Sequence, residues 1–210
     1  MLTPRAHIID YRMGNLTSVK NAIEHLGYEV VVATEPEQLK DATHIILPGV
    51  GSFHRGMERL NEFGFTAALQ EEVGKKKKPL LGICLGMQLL ADRGLEHGET
   101  NGLGLIPGVV RKLESKDLNL PHIGWNNIQI ENTHPAVPFQ AAQKPDFYFV
   151  HSFCFETKEG SDVLATTEYG EKFAAVVARG SALGVQFHPE KSQKSGLGIL
   201  KAFMEMKYVN

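Results

Sequence analysis

The chain has few cysteines, a single tryptophan and no long apolar run. Its two cysteines, Cys84 and Cys154, form no C-x-x-C pair and no disulfide framework, which excludes a small disulfide-stapled fold. No segment approaches the ~18 apolar residues that a membrane span needs, and residues 1–20 lack the apolar core of a secretory signal. We therefore expect a cytoplasmic protein with reduced thiols and no membrane partner.

Neither sign of charge is in excess. The chain has 22 Lys and Arg against 24 Asp and Glu, a net charge of −2, so no electrostatic attraction to nucleic acid is predicted. The one basic block is the run of four lysines at residues 75–78, which we interpret as a solvated loop between a helix and a strand. The nine histidines show no metal-ligand spacing, so we predict neither a metal site nor a cofactor.

The apolar content of 42% is enough for a sizeable core, and no linker interrupts residues 1–210, which predicts one domain. In the first half, strand and helix patterns alternate, as in a parallel sheet covered on both faces. After residue 102, short strands predict antiparallel hairpins that close the sheet, before a last helix at 197–206. The predicted strands are residues 7–10, 29–33, 44–47, 80–83, 108–113, 124–130, 147–155, 163–167, 173–178 and 183–187. The predicted fold class is therefore α/β, with an open, mixed, mainly parallel sheet.

Cys84 carries the strongest chemical signal. It follows an apolar strand and precedes a helix pattern, and in the sequence GICLG at residues 82–86 it has glycine two positions away on either side. This is the nucleophile-elbow pattern with sulfur in place of the serine oxygen, because the glycines permit a very tight turn. A helix N-terminus favours the thiolate, so Cys84 is predicted to be a nucleophile rather than a buried structural cysteine.

A nucleophile needs a base, and the sequence QFHPE at residues 186–190 offers one. His188 ends a short apolar strand, and Glu190 lies two residues beyond it, past a proline that restricts the backbone. Glu190 can bond one ring nitrogen of His188 and leave the other for the thiol. The arrangement is that of a triad with glutamate as its third member.

An oxyanion donor is the third requirement. Residues 44–51, HIILPGVG, are typical of a strand that runs into a Pro-Gly loop. In elbow enzymes one donor N–H follows the nucleophile, and another comes from a neighbouring strand-end loop. We therefore predict that the N–H of Leu85 and one N–H from the segment of Gly49, Val50 and Gly51 face the substrate carbonyl.

Further motifs lie along the chain. They are DYRMGNL at residues 10–16, PGVG at 48–51, PHIGWN at 121–126 and YFVHSF at 148–153. With the elbow and the His-Pro-Glu segment, they resemble the class I (triad-type) glutamine amidotransferases, whose Cys, His and Glu match Cys84, His188 and Glu190. Within that family the chain is similar to the glutaminase subunits of imidazole glycerol phosphate synthase. The family often has glycine in place of Arg12 and tyrosine in place of Phe153.

The resemblance implies a flavodoxin-like sheet and hydrolysis of the glutamine side-chain amide, with ammonia passed to a second subunit. That partner would be a (β/α)8 cyclase that makes imidazole glycerol phosphate and aminoimidazole carboxamide ribotide, in a heterodimer serving histidine biosynthesis. Glutamine binding is implied for Gln88, Glu96, Ser152 and Phe153. Contact with the cyclase is implied for Asn15, Trp125, Asn126 and Lys191.

Three other interpretations keep part of this chemistry. A paralogous subunit that feeds a surface-sugar pathway would use identical residues with another partner. A free-standing cysteine amidohydrolase would act without a partner, and a silent subunit would only complete the synthase. The intact set of Cys84, His188 and Glu190 argues against silence. For the favoured interpretation, we expect weak glutaminase activity alone and higher activity with the cyclase and its nucleotide.

Overall fold

Strands and helices alternate through the first half of the chain, and strands predominate in the second. The computed structural model describes residues 4–140 and 142–207. The strands are β1 (Arg5–Ile9), β2 (Glu29–Ala33), β3 (His44–Gly49), β4 (Leu80–Cys84), β5 (Arg93–Gly94), β6 (Thr100–Asn101), β7 (Gly108–Lys112), β8 (His122–Asn127), β9 (Gln129–Ile130), β10 (Asp146–His151), β11 (Phe153–Thr157), β12 (Val163–Tyr169), β13 (Glu171–Arg179) and β14 (Ala182–Val185). The α-helices are α1 (Leu16–His25), α2 (Phe53–Glu62), α3 (Phe65–Leu69), α4 (Leu85–Gln88) and α5 (Gln193–Met204). Shorter helical turns lie at Pro36–Asp41, Gln70–Lys75, Gly160–Asp162 and Pro189–Lys191.

The main sheet has eight strands in the order β2-β1-β3-β4-β14-β13-β12-β9. The strands from β2 to β14 in this order are parallel, and β13, β12 and β9 extend the sheet with antiparallel pairing. Gly49 on β3 lies beside Cys84 on β4, and Val185 on β14 lies beside Ile83. The carboxyl ends of three neighbouring strands therefore meet at one edge, which is where parallel sheets bind ligands.

Helices cover both faces of this sheet. On one face, α1 and α5 contribute Ile23 and Phe203 to a core that includes Ile8 of β1. On the other face, α2 contributes Leu60 to a core that includes Ile9, the next residue of β1, because successive side chains of a strand point to opposite faces. No helix within residues 4–140 and 142–207 is long and apolar enough to cross a membrane.

The predicted α/β class with an open, mainly parallel sheet is confirmed. The second half differs from the prediction, because several of its strands leave the main sheet. β8 and β10 form a two-stranded ribbon, and β11, β7, β5 and β6 form a four-stranded sheet. The predicted strand at 147–155 is two strands that separate at Ser152, one for each small sheet. The predicted strand at 183–187 is parallel to β4, so it belongs to the parallel part of the main sheet.

The lysine block at residues 75–78 is not uniformly solvated, and the interpretation as a solvated loop is wrong for its last member. Lys78 is 3% exposed, and its ammonium donates to the carbonyl oxygens of Leu39 at 2.8 Å and Lys40 at 2.6 Å. It also pairs at 2.9 Å with Glu72, which is 2% exposed. The ammonium therefore caps the helical turn before β3 and neutralises a buried carboxylate.

Replacement of Glu72 with alanine is expected to lower the free energy of unfolding by about 3 kcal/mol or more, because the Lys78 ammonium stays buried without its carboxylate. The matched control is Glu24→Ala, which breaks the exposed pair of Lys20 and Glu24 and is expected to cost less than about 1 kcal/mol. Urea unfolding of both variants measures the two losses. Equal losses would contradict a stabilising role for the buried pair.

Candidate active site

The backbone turns sharply at Cys84, between β4 and α4. Cys84 has φ 54° and ψ −110°, a conformation outside the regions that L residues favour. A side chain at Gly86 would collide with the carbonyl of Leu47 on the neighbouring strand, and one at Gly82 would collide with the carbonyl of Gly86. Both glycines are therefore required for the turn. The helix after the turn has only four residues, so its dipole contributes less to a thiolate than the sequence pattern predicts.

His188 and Glu190 form a buried pair that interacts with Cys84. The Nδ1 atom of His188 lies 2.9 Å from Oε1 of Glu190, and the two side chains are 6% and 2% exposed. Burial alone would lower the pKa of His188, but hydrogen bonding and charge interactions with Cys84 and Glu190 raise it to about 9. At neutral pH the imidazole therefore carries a proton, and the resulting cation can stabilise a Cys84 thiolate.

Two glutamines connect the sulfur to the far wall of the site. Gln186 is fully buried and directs its Nε2 toward Cys84 Sγ at 3.8 Å. Its Oε1 accepts a 3.0 Å hydrogen bond from Nε2 of Gln88, which also donates to the carbonyl of Phe153 at 3.0 Å. Both N–H groups of Gln88 are therefore engaged, and its Oε1 is the atom that can accept a bond from a substrate.

These side chains open into a cavity of about 270 Å³ at the carboxyl edge of the main sheet. That volume is near the lower end for small-molecule sites and suits an amino acid. The cavity is lined by Cys84 and His188 and by the predicted site residues Val50, Gly51, Leu85, Gln88, Glu96, Ser152, Phe153 and Lys191. Within residues 4–140 and 142–207, no three His, Cys, Asp or Glu side chains are arranged to hold a metal ion.

The segment predicted to supply oxyanion donors has one donor already bonded. The N–H of Val50 donates to the carbonyl of Met13 at 2.7 Å, so it is not free for a substrate in this conformation. Gly49 ends β3, and the hydroxyl of Tyr11 fills the space where its side chain would lie. Leu85 begins α4, whose first N–H groups have no partner within the helix. Of these donors, Leu85 is the one placed directly after Cys84.

Glu96 is part of the cavity wall rather than a solvated surface charge. Its side chain is 14% exposed, and its Oε2 accepts the N–H of Phe53, the first residue of α2, at 2.7 Å. The N-terminus of a helix favours a carboxylate, so this bond holds the acid in place. A carboxylate held there can bind the ammonium group of an amino acid.

Ser152 and Phe153 lie where β10 ends and β11 begins. Their carbonyl groups accept bonds from within the protein, from the N–H of Leu113 to Ser152 at 2.9 Å and from Gln88 and His151 to Phe153 at 3.0 and 2.8 Å. Because the Phe153 carbonyl has two donors, it has no lone pair left for a ligand. A backbone contact to glutamine at this residue must therefore use another atom.

An exposed apolar strip lies on the β8–β10 ribbon, next to the cavity. Ile123 and Trp125 on β8 are 59% and 50% exposed, and they pair with Val150 and Tyr148 on β10. We call these four residues the apolar strip. Val150 also lines the cavity, and Lys191 reaches the strip with Nζ 6.0 Å from the centre of the Tyr148 ring. The strip is therefore continuous with the cavity mouth.

The other two residues with an implied partner contact have bonds within the chain. Asn15 precedes α1, and its side chain caps that helix by accepting the N–H of Ser18 at 3.4 Å. The side chain of Asn126 donates to the carbonyl of Glu168 at 2.9 Å, which ties β8 to β12. Both side chains therefore have a structural function in the isolated chain.

Sequence reasoning missed Gln186, Val150 and His151 as parts of the site. Gln186 precedes His188 by two residues, and extended backbone puts such residues on the same side, a signal that could have identified it. Val150 and His151 line the cavity because β10 leaves the main sheet. The hydrophobic pattern of β10 does not reveal this departure.

Arg12 and Cys154, whose roles the sequence leaves open, have structural explanations. Arg12 has φ 65°, which explains why glycine is favoured at that position. Cys154 is 1% exposed, and burial raises the pKa of its thiol to about 12. A buried thiol of this kind is inert, and of the two cysteines only Cys84 lines the cavity.

Comparison with known proteins shows the family to which the chain belongs. The family described as "Glutamine amidotransferase class-I" matches residues 7–206. The chain therefore belongs to the class I glutamine amidotransferases. Two solved structures share the fold. PurLQS from Thermotoga maritima superposes with a TM-score of 0.77 at 21% identity, covering 97% of this chain and 98% of that one. A second structure, described as a glutamine amidotransferase, has a TM-score of 0.74 at 20% identity, covering 94% and 98%.

Closer relatives identify the subfamily. Imidazole glycerol phosphate synthase subunit HisH 1 of Campylobacter jejuni is 48% identical over 202 residues, covering 95% of this chain and 98% of that protein. Subunit HisH of Moorella thermoacetica is 46% identical over 200 residues, covering 95% and 93%. Subunit HisH 2 of Nitrobacter winogradskyi is 44% identical over 207 residues, covering 96% and 98%. Within the class I family, the chain falls with the HisH subunits of this synthase.

The raised pKa of His188 predicts that the histidine stabilises the fold in a pH-dependent way. Because its pKa in the folded state is about 9 rather than 6.5, the stabilisation is complete below pH 6.5 and is lost as the pH rises through 9. The free energy of unfolding of the natural chain relative to His188→Asn is therefore expected to fall between pH 6.5 and 9. Urea unfolding across this range measures the difference, and a constant value would contradict a charged His188.

Proposed function

We propose that the chain is the glutaminase subunit of an imidazole glycerol phosphate synthase. It hydrolyses glutamine to glutamate and ammonia, and it passes the ammonia to a (β/α)8 cyclase in a heterodimer of histidine biosynthesis. The observation that carries the proposal is that Cys84 and His188 line one amino-acid-sized cavity, with His188 bonded to the buried carboxylate of Glu190. The names of the relatives, which are subunits of that synthase, support the choice of partner.

The reaction begins with attack of the Cys84 thiolate on the side-chain carbonyl carbon of glutamine. A C–S bond forms, and the negative charge that moves to the oxygen is stabilised by backbone N–H groups. His188 is protonated at neutral pH and donates its proton to the departing nitrogen, so the C–N bond breaks and ammonia leaves a thioester. Neutral His188 then takes a proton from water, which attacks the thioester. Glutamate is released as the thiolate is restored, and Glu190 holds the ring in orientation throughout.

Substrate binding is assigned to polar groups on the cavity wall. The carboxylate of Glu96 binds the α-ammonium group of glutamine, and the free Oε1 of Gln88 accepts a bond from an N–H of the substrate. Ser152 and Phe153 form the wall across from the elbow. These contacts orient the amide carbonyl toward the sulfur, which lowers the entropic part of the barrier.

The bond from Val50 to Met13 supports the expectation of weak activity in the isolated chain. A donor already bonded to a carbonyl cannot stabilise an oxyanion until that bond breaks. Met13 lies two residues before Asn15, a candidate contact for the cyclase. Docking on this segment can therefore move the Met13 carbonyl and release the N–H of Val50.

The apolar strip and Lys191 are the proposed docking surface for the cyclase. Exposed aromatic side chains are characteristic of the centres of protein interfaces, and Trp125 and Tyr148 supply two. The strip adjoins the cavity, so a partner seated on it covers the mouth through which ammonia leaves. Such a cover limits the protonation of ammonia by bulk water.

Cys84→Ala is expected to lower glutamate release by at least about 10³-fold, because no other reactive thiol faces the cavity. Cys154→Ala is the matched control and is expected to keep activity within about twofold, since that thiol is buried and does not line the cavity. Glutamate formation is measured for each variant alone and with a histidine-pathway cyclase plus its nucleotide ligand. For the natural chain, we expect strong stimulation by the complete mixture.

Activity that does not change with the cyclase would refute the proposed partner. It would leave the triad chemistry in place and favour a paralogous subunit or a free-standing amidohydrolase. Full glutamate release by Cys84→Ala would refute the nucleophile itself. Glutamine-dependent synthesis that is unchanged in Cys84→Ala would favour the silent subunit.

Trp125→Ala and Tyr148→Ala are expected to reduce the affinity for the cyclase by about tenfold each, because each removes a large apolar contact from the strip. Leu118→Ala is the control, since Leu118 is similarly exposed, at 46%, but lies outside β8 and β10. Titration of the stimulated glutaminase activity with cyclase measures the affinity. An unchanged midpoint in both aromatic variants would place the interface elsewhere.

A further inference from the structure

Two buried histidines, one at the cavity wall and one behind it, take no part in the proposed chemistry. His122 on β8 and His151 on β10 pair across the ribbon, and His122 Nδ1 lies 3.2 Å from His151 Nε2. The other nitrogen of His151, Nδ1, lies 2.8 Å from the carbonyl oxygen of Phe153. The two residues are 3% and 6% exposed.

The contacts determine where the protons are. A carbonyl oxygen can only accept, so Nδ1 of His151 carries a hydrogen and donates it to Phe153. In a neutral ring the Nε2 of His151 then has a lone pair, and Nδ1 of His122 must be the donor to it. Burial lowers the pKa of His151 to about 3 and that of His122 to about 4, in agreement with two neutral rings.

The carbonyl that receives this bond also receives the N–H of Gln88, at 3.0 Å. The same Nε2 of Gln88 bonds Gln186, whose own amide is directed at the sulfur of Cys84. A continuous series of hydrogen bonds therefore leads from His122 through His151 and Phe153 to the two glutamines. The position of the free Oε1 of Gln88 depends on where the Phe153 carbonyl is held.

We propose that His122 and His151 are a positioning pair for the glutamine site, in which two neutral imidazoles orient the Phe153 carbonyl and, through it, the amide of Gln88. This inference rests on the proposed glutaminase function, because the residue that is positioned belongs to the substrate wall. His122 lies next to Ile123 of the apolar strip, so the pair also connects the docking ribbon to that wall.

Packing alone does not account for the pair. His122 stacks between Phe149 and Tyr169, with ring centres 5.1 and 4.1 Å away, and His151 lies edge-on to Phe173 at 5.0 Å. An apolar ring would fill either position without the cost of burying polar nitrogens. What the two imidazoles add is a directed N–H at the Phe153 carbonyl.

The first test compares His151→Phe with His151→Asn in steady-state glutamine hydrolysis in the presence of the partner cyclase. Phenylalanine keeps the ring volume but removes the donor, so KM for glutamine is expected to rise about fivefold to tenfold, with kcat changing by less than about threefold. Asparagine places an N–H near the position of Nδ1, and we expect it to return KM to within about twofold of the natural value. His122→Phe, which frees Nε2 of His151, should raise KM by about twofold to fourfold.

His44→Phe is the matched control for loss of a buried histidine. His44 also packs edge-on to a phenylalanine, Phe203, but it lies at the start of β3, at the opposite end of that strand from the site. It is expected to lower thermal stability without changing KM. A KM for His151→Phe equal to that of the natural chain would overturn the positioning role, as would a failure of His151→Asn to restore it. Absence of glutaminase activity in the natural chain would instead refute the proposed function.

A measurement on the natural chain tests the positioning role without any substitution that could prevent folding. Long-range ¹H–¹⁵N spectra distinguish the two neutral tautomers of histidine and the imidazolium form. At pH 7 we expect His151 to be neutral with its proton on Nδ1, and His122 to be neutral with its proton on Nδ1 as well. A proton on Nε2 of His151, or a charged ring at either position, would overturn the inference whether or not glutamine is hydrolysed.

Discussion

The backbone turn at Cys84 is the constraint on which the rest of the site depends. Its positive φ costs free energy, of the order of 1–3 kcal/mol, and persists only because the surrounding strands and helix hold it. Gly86 must pass close to the carbonyl of Leu47, which is possible only while β3 and β4 stay in register. The turn therefore couples the geometry of the nucleophile to the parallel sheet. Any change that shifts this register moves the sulfur as well.

A second constraint is that β10, one strand of the ribbon, is hydrogen-bonded to the segment that carries His188 and Glu190. The N–H of His188 donates to the carbonyl of Tyr148 at 2.9 Å, and the Ser192 hydroxyl accepts the N–H of Tyr148 at 3.0 Å. In its thiol form, Cys84 donates a weak bond to the carbonyl of Val150 at 3.6 Å. β10 thus contacts the nucleophile and the histidine through its backbone while it presents the apolar strip outward. A partner that displaces the apolar strip would therefore move β10, whose backbone contacts both Cys84 and His188.

The sequence was sufficient for the parallel strands of the first half, for the sharp turn at Cys84 and for the contact between His188 and Glu190, because these follow from local patterns. Alternation of strand and helix predicts a parallel sheet, and glycine on both sides of a cysteine predicts a tight turn. The separate ribbon was not predictable, since an apolar alternation in β8 does not say which strand pairs with it. For the same reason the contact of His122 with His151 could not be foreseen. The burial of Lys78 could not be predicted, because the groups that its ammonium contacts, on Leu39, Lys40 and Glu72, lie outside the run of four lysines.

A glutaminase that supplies a synthase must avoid wasteful hydrolysis, and the contact between Val50 and Met13 would limit hydrolysis in the isolated chain under the proposed mechanism. His188 is bonded to Glu190 and interacts with Cys84, and these contacts raise its pKa to about 9, so in the proposed mechanism the general acid is formed without a partner. The N–H of Val50 is bonded to the carbonyl of Met13, and in the proposed mechanism this N–H stabilises charge only in the transition state. Withholding such a group slows turnover without preventing glutamine from binding. Release of that single N–H by a docked partner would raise the rate only when an acceptor for ammonia is present.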